Sequence, residues 1–248
     1  MKALKIIFLP VLFLLASCAA DKRKEEPQKE TCYDVAEVLI AYGNDKNGPG
    51  DSLFYDSRGR VTKVVHELTS QVTYDYLESR IQMKGTNILG TDISTTFFLD
   101  DQKRIVRTTA NYEFGYNSEG YLIFCKFPID NNGTVTGYST LDFKYEGGNV
   151  TEVSETEGRT VTTRKFEYFD EPQQDLMGWN SPLFGAGFFS DIYVFYLSEA
   201  GYFGKSGKNL LKSFNDRKGN ILMRKYKKDA QGRIVLMDEG RAFVYKCD

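Results

Sequence analysis

Apolar and polar residues alternate along most of this chain with a period of two. Between Thr134 and Tyr145, the residues Val135, Leu141, Phe143 and Tyr145 fall on one face, and Thr134, Thr136, Thr140, Asp142 and Lys144 fall on the other. Val72, Tyr74 and Tyr76 alternate with Thr73 and Asp75. Val106, Ala110, Tyr112, Phe114 and Tyr116 share a face in the same way. A two-residue period kept over many segments predicts antiparallel strands, packed on one side and wet on the other. One stretch departs from it. From Glu171 to Asp191 the chain carries Pro172, Pro182, three glycines and its single tryptophan, Trp179. Beyond it, Ile192, Phe195, Tyr196, Glu199 and Phe203 recur three and four residues apart, which predicts a helix at about 191–203. Ser190 or Asp191 would cap it and Gly204 would stop it.

The strands are punctuated by a degenerate turn. Tyr55-Asp-Ser-Arg-Gly-Arg-Val61 is its clearest copy and Tyr116-Asn-Ser-Glu-Gly-Tyr-Leu122 the next. Tyr145 to Val150 is one residue shorter, and in Leu99 to Ile105 Lys103 stands where the glycine would be. Phe214 to Ile221 and Lys228 to Ile234 complete the set. An aromatic residue ends one strand, Asp or Asn opens the turn, glycine supplies a positive φ, and an apolar residue starts the return. Each copy predicts a β-hairpin, and successive hairpins make a meander. The expected fold is therefore all-β: one large, curved, barrel-like antiparallel sheet of about a dozen strands with one inserted helix. Two smaller sheets split near 171–190 are the alternative. The insert, at about 171–210, is expected to plug one end or face of the sheet.

These Tyr-Asp-x-x-Gly-Arg-Val units resemble the YD repeats of Rhs-type bacterial surface proteins. Together with the N-terminal features below, the layout of residues 32–247 resembles a family of Bacteroidales lipoproteins of unknown function with a porin-like fold. The resemblance implies an envelope location and offers no catalytic residues.

At the N-terminus, Lys2 and Lys5 precede an apolar run from Ile6 to Leu15, too short to span a bilayer as a helix. Leu15-Ala16-Ser17-Cys18 follows and resembles a lipobox. That resemblance implies that residues 1–17 are a signal peptide and that Cys18 becomes an acylated N-terminus. Residues 18–31 have no apolar periodicity and read as a flexible tether. Asp21, Glu25 and Glu26 sit close behind the cysteine, as in some Bacteroidales-type lipoproteins exported to the cell surface. The expected location is the outer membrane, facing either the periplasm or the outside. Residues 32–248 would then form a single domain.

Composition sharpens this picture. Aromatics make up 14%, with 16 Tyr and 18 Phe, which suits strands. There are 32 Lys+Arg against 34 Asp+Glu. A mildly acidic body argues against a nucleic-acid partner, because phosphate binding needs a basic face. Cys32, Cys125 and Cys247 remain after Cys18. An exported protein is allowed disulfides, and Cys32–Cys247 would join the first and last strands. Cys125 reads as a small buried residue. The cysteine spacing makes no metal signature, and no cofactor motif is present.

Candidate chemistry is sparse, and no catalytic residue is assigned. His66, the only histidine, lies in a strand-like run and reads as a solvent-side strand residue. Glu113, Asp142, Glu152, Glu155, Glu157 and Glu167 lie in strands, so a hydrolase using two of them on the open face is the alternative function. Gly204 to Lys208 lacks the spacing of a phosphate loop. Trp179, Phe184, Phe188 and Phe189 cluster in the irregular segment and read as a lid, with a ligand platform as the other possibility. Asp51-Ser52-Leu53 resembles a short bacterial glycosylation sequon, making Ser52 a candidate modification site. The function expected is a non-enzymatic envelope module, held to the membrane by lipid and binding glycan or a partner protein.

Overall fold

The computed structural model describes residues 34–40, 50–66, 70–87, 90–131, 134–174, 176, 194–238 and 240–246. Cys32–Asp248 forms one compact unit. Its strands are β1 (Asp34–Ile40), β2 (Gly50–Tyr55), β3 (Val61–His66), β4 (Ser70–Tyr76), β5 (Arg80–Thr86) and β6 (Asp92–Leu99). There follow β7 (Ile105–Thr108), β8 (Glu113–Tyr116), β9 (Leu122–Asn131), β10 (Thr134–Glu146), β11 (Asn149–Glu157) and β12 (Thr160–Pro172). After the helix α1 (Phe195–Glu199) come β13 (Asn209–Asn215), β14 (Ile221–Met223), β15 (Tyr226–Lys228), β16 (Ile234–Met237) and β17 (Arg241–Lys246).

Every ladder is antiparallel, and almost every strand pairs with the next in sequence. β17 returns to β1, which also pairs with β2, so the ring closes. A closed ring of alternating strands requires an even number of staves, yet seventeen strands are present among the described residues. The step from β14 to β15 resolves this. β14 pairs with β13, and β15, two residues further along the same stretch, pairs with β16. The two act as one bent stave, and seventeen strands less one gives sixteen staves. One sheet runs through the region of the insert, so the two-sheet alternative does not hold, and the strand number exceeds the dozen expected.

The wall is apolar inside and polar outside. In β4, Val72 and Tyr74 are buried between exposed Gln71, Thr73 and Asp75. In β10, Leu141 and Phe143 are buried while Asp142 and Lys144 are exposed. The buried side chains form one core to which nearly every strand contributes. Tyr196 and Leu197 of α1 and Leu176, Tyr202 and Phe203 of the insert belong to the same core. The described part of the insert therefore contributes side chains to the interior of the ring.

Local irregularities modify the expected faces. Val106 to Tyr116 is two strands, not one. The Thr108 hydroxyl accepts the N–H groups of Ala110 and Tyr112, and Asn111 has φ +61°, which turns the chain between β7 and β8. Val135 is exposed although Leu141 and Phe143 of the same strand are buried. A register shift between Val135 and Gly137 moves it to the other face. The helix is shorter than 191–203. Gly201, at φ +77°, donates to the Ser198 carbonyl and ends it; 191–193 lie outside the described residues.

Candidate functional site

One rim of the ring is built from a repeated turn. In the copy at Asp56, the Asp56 N–H donates to the Arg60 carbonyl and the Gly59 N–H donates back to the Asp56 carbonyl. Asp56 Oδ1 accepts the N–H groups of Arg58 and Arg60, and Oδ2 accepts Arg60 Nε at 2.8 Å. Asp100 with Arg104 and Asp229 with Arg233 repeat every one of these bonds. The fourth residue of each turn has a positive φ: Gly59 +72°, Lys103 +64° and Gly232 +81°. Burial alone would push the Asp56, Asp100 and Asp229 carboxyls up. The hydrogen bonds and charge of the arginine four residues on outweigh it and hold all three below the usual carboxylate range.

Each turn is locked by a tyrosine from the next strand. Arg60 lies over Tyr76, Arg104 over Tyr116 and Arg233 over Tyr245, at 4.1, 4.3 and 4.8 Å from the ring centres. The Tyr76, Tyr116 and Tyr245 hydroxyls donate to the carbonyls of Val61, Ile105 and Ile234, the first residues of the returning strands. Tyr145, Tyr168 and Tyr226 donate likewise to the carbonyls of Leu122, Val150 and Leu211, the first, second and third residues of β9, β11 and β13. Leu99 occupies the matching place at the end of β6 and leaves a gap in the series.

The insert's two arms strap across this rim. Tyr202 accepts the Ile105 N–H at 2.7 Å, Lys205 donates to the Gly120 carbonyl, and Lys208 donates to the Gly148 carbonyl. Gln174 accepts the Ile234 N–H with Oε1 and donates from Nε2 to the Gly232 carbonyl. A cleft of about 640 Å³ lies beside Leu99, among Arg58, Tyr76, Leu77, Lys103 and Tyr202. A second, of about 570 Å³, lies across the Asp100 turn, beside Arg104, Glu119 and Lys205. Tyr76 is an unsuitable sugar platform. Arg60 covers one of its faces, and Tyr202 stacks on it with ring centres 5.7 Å apart.

The helix is held from the opposite end. Tyr196 donates its hydroxyl to Asp51 Oδ2, and His66 Nδ1 lies 2.7 Å from Asp51 Oδ1. Asp51 is fully buried and the His66 side chain is 12% exposed. His66 is thus an inward-facing partner of a buried carboxylate, not the solvent-side residue its run suggests. Burial first, and the Asp51 charge second, push the Tyr196 hydroxyl well above its ordinary range. Ser52 is half-exposed on β2, between buried Asp51 and Leu53.

The strand carboxylates are mostly matched to cations. Glu113 pairs with Lys126, Glu152 with Lys144, and Glu167 with Lys212. Glu155 faces inward and binds buried Arg164 and the turn residue Arg217. Among the described residues no three His, Cys, Asp or Glu are placed to hold a metal ion. Cys125 is a buried free thiol in β9, and burial pushes its pKa up. Cys18, Cys32, Cys247, Trp179, Phe184, Phe188 and Phe189 lie outside the described residues. The described strands nearest the two terminal cysteines are paired, with Asp34 opposite Lys246.

Comparison with known proteins adds the class of fold. No family profile matches the sequence, and a search of curated proteins found no match. Among solved structures, the chain is similar to a porin-like protein from Bacteroides uniformis, at 13% identity and a TM-score of 0.59. That alignment covers 88% of this chain and 99% of the other. It is likewise similar to a porin-like protein from Bacteroides vulgatus, at 11% identity and a TM-score of 0.60, covering 87% and 99%. At such identities the likeness is one of fold: a nearly all-β antiparallel ring of the porin-like kind.

Proposed function

We propose that this chain is a lipid-anchored protein of the bacterial envelope, carried by Cys18, whose ring is a rigid scaffold for binding a partner. The observation behind this reading is the polarity of the wall. A barrel that crosses a membrane turns an apolar band outward and keeps a polar interior. Here Val72, Tyr74, Leu141 and Phe143 point inward, and Asp75, Asp142, Lys144 and Lys165 point outward. Charge on a lipid-facing wall costs several kcal/mol per residue, about 2–4 for Lys or Arg at the midplane. A filled ring with a wet exterior has its rims and edges left for function, and an apolar edge speaks for a protein partner over a glycan.

Fractionation of cells expressing Cys18→Ala tests the reading. The variant should leave the membrane fraction and appear soluble and folded. Retention of Cys18→Ala in washed membranes would refute it, because a spanning barrel needs no lipid to stay there.

A further inference from the structure

Among the strands whose side chains are described, β14 alone has all of them exposed: Ile221 at 72%, Leu222 at 44% and Met223 at 54%. Its ladder lies on one side only. Leu222 faces Phe214 of β13, and the flanking bonds, Asp216 N–H to Asn220 and Arg224 N–H to Lys212, fix the alternation. In that alternation Leu222 spends its backbone groups on β13, while those of Ile221 and Met223 point the other way. The next stave does not reach them. β16 ends at Met237, opposite Tyr226, and Asp238 closes the ladder by exchanging hydrogen bonds with Lys225. Where the bent stave passes from β13 to β16, the wall is left, among the described residues, with a short open edge.

The edge sits in positive surroundings. Residues 212–228 hold seven Lys and Arg against one acidic residue, in a chain whose formal charge is −2. Lys212, Arg217, Arg224 and Lys228 are matched to Glu167, Glu155, Asp238 and Glu171. Lys218 and Lys227 add exposed positive charge around the three apolar side chains.

We propose that β14 is a docking edge that takes an extended acidic peptide of a partner protein as an added strand. Its backbone pairs with Ile221 and Met223, its apolar side chains cover Ile221 and Met223 on one face, and its carboxylates, on the alternate positions, meet the lysines. Pairing with a second copy is disfavoured, because antiparallel contact about Leu222 brings two basic segments together. A lipid surface is disfavoured too, since it would bury the N–H and C=O groups of Ile221 and Met223 without partners. This inference rests on the partner-binding scaffold proposed above and names its surface and the chemistry of its partner.

The test uses the full mature chain carrying Cys18→Ala and a fluorescein-labelled heptapeptide of alternating Glu and Val, followed by anisotropy. Saturable binding is expected, weaker in high salt. It should fall at least about tenfold when the peptide's valines are N-methylated, which removes ladder hydrogen bonds worth about 1.4 kcal/mol per tenfold. Met223→Pro, which deletes an N–H on the open edge and spares the β13 ladder, should weaken it as much. Lys218→Glu with Lys227→Glu should weaken it without touching the backbone, which keeps the test decisive if the proline variant misfolds. No binding, or equal binding of the N-methylated peptide or of a Lys-Val peptide, would overturn the proposal. So would a dimer in sedimentation that Met223→Pro abolishes, or β14-dependent binding to phosphatidylglycerol vesicles. Each of these leaves the fractionation of Cys18→Ala unaltered, so the docking edge can fail while the anchored scaffold stands.

Discussion

Tyr116 donates its hydroxyl to the carbonyl of Ile105 at 2.7 Å while Arg104 lies across its ring. The turn between those strands is thereby tied to the end of the next strand, eleven residues on. The same tie at Tyr76, Tyr145, Tyr168, Tyr226 and Tyr245 makes one rim a chain of linked hairpins. A sheet of short staves gains little from any single ladder, so ties between hairpins set how rigid the rim is. Tyr116→Phe removes the donor and keeps the ring. It should destabilise the fold by about 1 kcal/mol, and more if the buried carbonyl finds no water. Urea unfolding followed by circular dichroism measures this. An unchanged midpoint would mean the tie contributes nothing.

The same tyrosines predict an alkaline limit to stability. Burial is the main cause that raises Tyr76, Tyr116, Tyr145, Tyr168 and Tyr226 well above the ordinary value of about 10. The folded state therefore holds the phenol proton where the unfolded chain has begun to lose it. Stability is whole below about pH 10 and declines as the pH climbs above it. Tyrosinate absorbance should rise cooperatively, together with loss of strand signal. A gradual rise of all tyrosinates with the fold intact would contradict this.

Among the described residues Lys103 is the one lysine with a positive φ, at the position where Gly59 and Gly232 serve in the sister turns. A side chain there costs about 1 kcal/mol in backbone strain, of which glycine's greater unfolded freedom returns part. Lys103→Gly should stabilise by about 0.5 kcal/mol, read as a small rise in melting temperature. Its side chain gives up a hydrogen bond to the exposed Glu78 carbonyl, which changes little. A clear loss of stability would show that bond to matter more than the strain.

The strands and their turns were legible because each signal is local. A two-residue alternation marks Val72 to Tyr76, and Asp-x-x-Gly with a following apolar residue marks the turn before Val61. Ring closure was not legible, since the pairing of Asp34 with Lys246 joins residues from opposite ends of the chain. The tyrosine ties were half visible. Their residues stand out, but the interval from carbonyl to hydroxyl runs from eleven residues at Ile105 to twenty-three at Leu122, set by strand length, and so shows no period. Asp51 and His66 gave no signal at all. Polar residues at inward positions look like outward ones until Tyr196, 145 residues away, arrives to bind the carboxylate.

Gly204 shows how closely the insert is seated. A Cβ on it would stand 2.4 Å from the Gly120 carbonyl oxygen and 3.0 Å from the Tyr116 ring, and its φ is +81°. Gly59 has a similar φ of +72° with nothing within 4 Å of such a Cβ. Alanine at Gly59 therefore meets only the backbone cost, about 1 kcal/mol, and alanine at Gly204 meets that cost and a collision with the rim. The carbonyl cannot yield without breaking the bond it accepts from Lys205, so the arm must lift. Gly204→Ala should cost about 2–4 kcal/mol, and the Ile105 N–H, which bonds to Tyr202, should exchange its hydrogen faster than in Gly59→Ala. The contrast between the two variants isolates contact from conformation. Equal losses, with Ile105 equally protected in both, would show that the arm rests on the rim without being fitted to it.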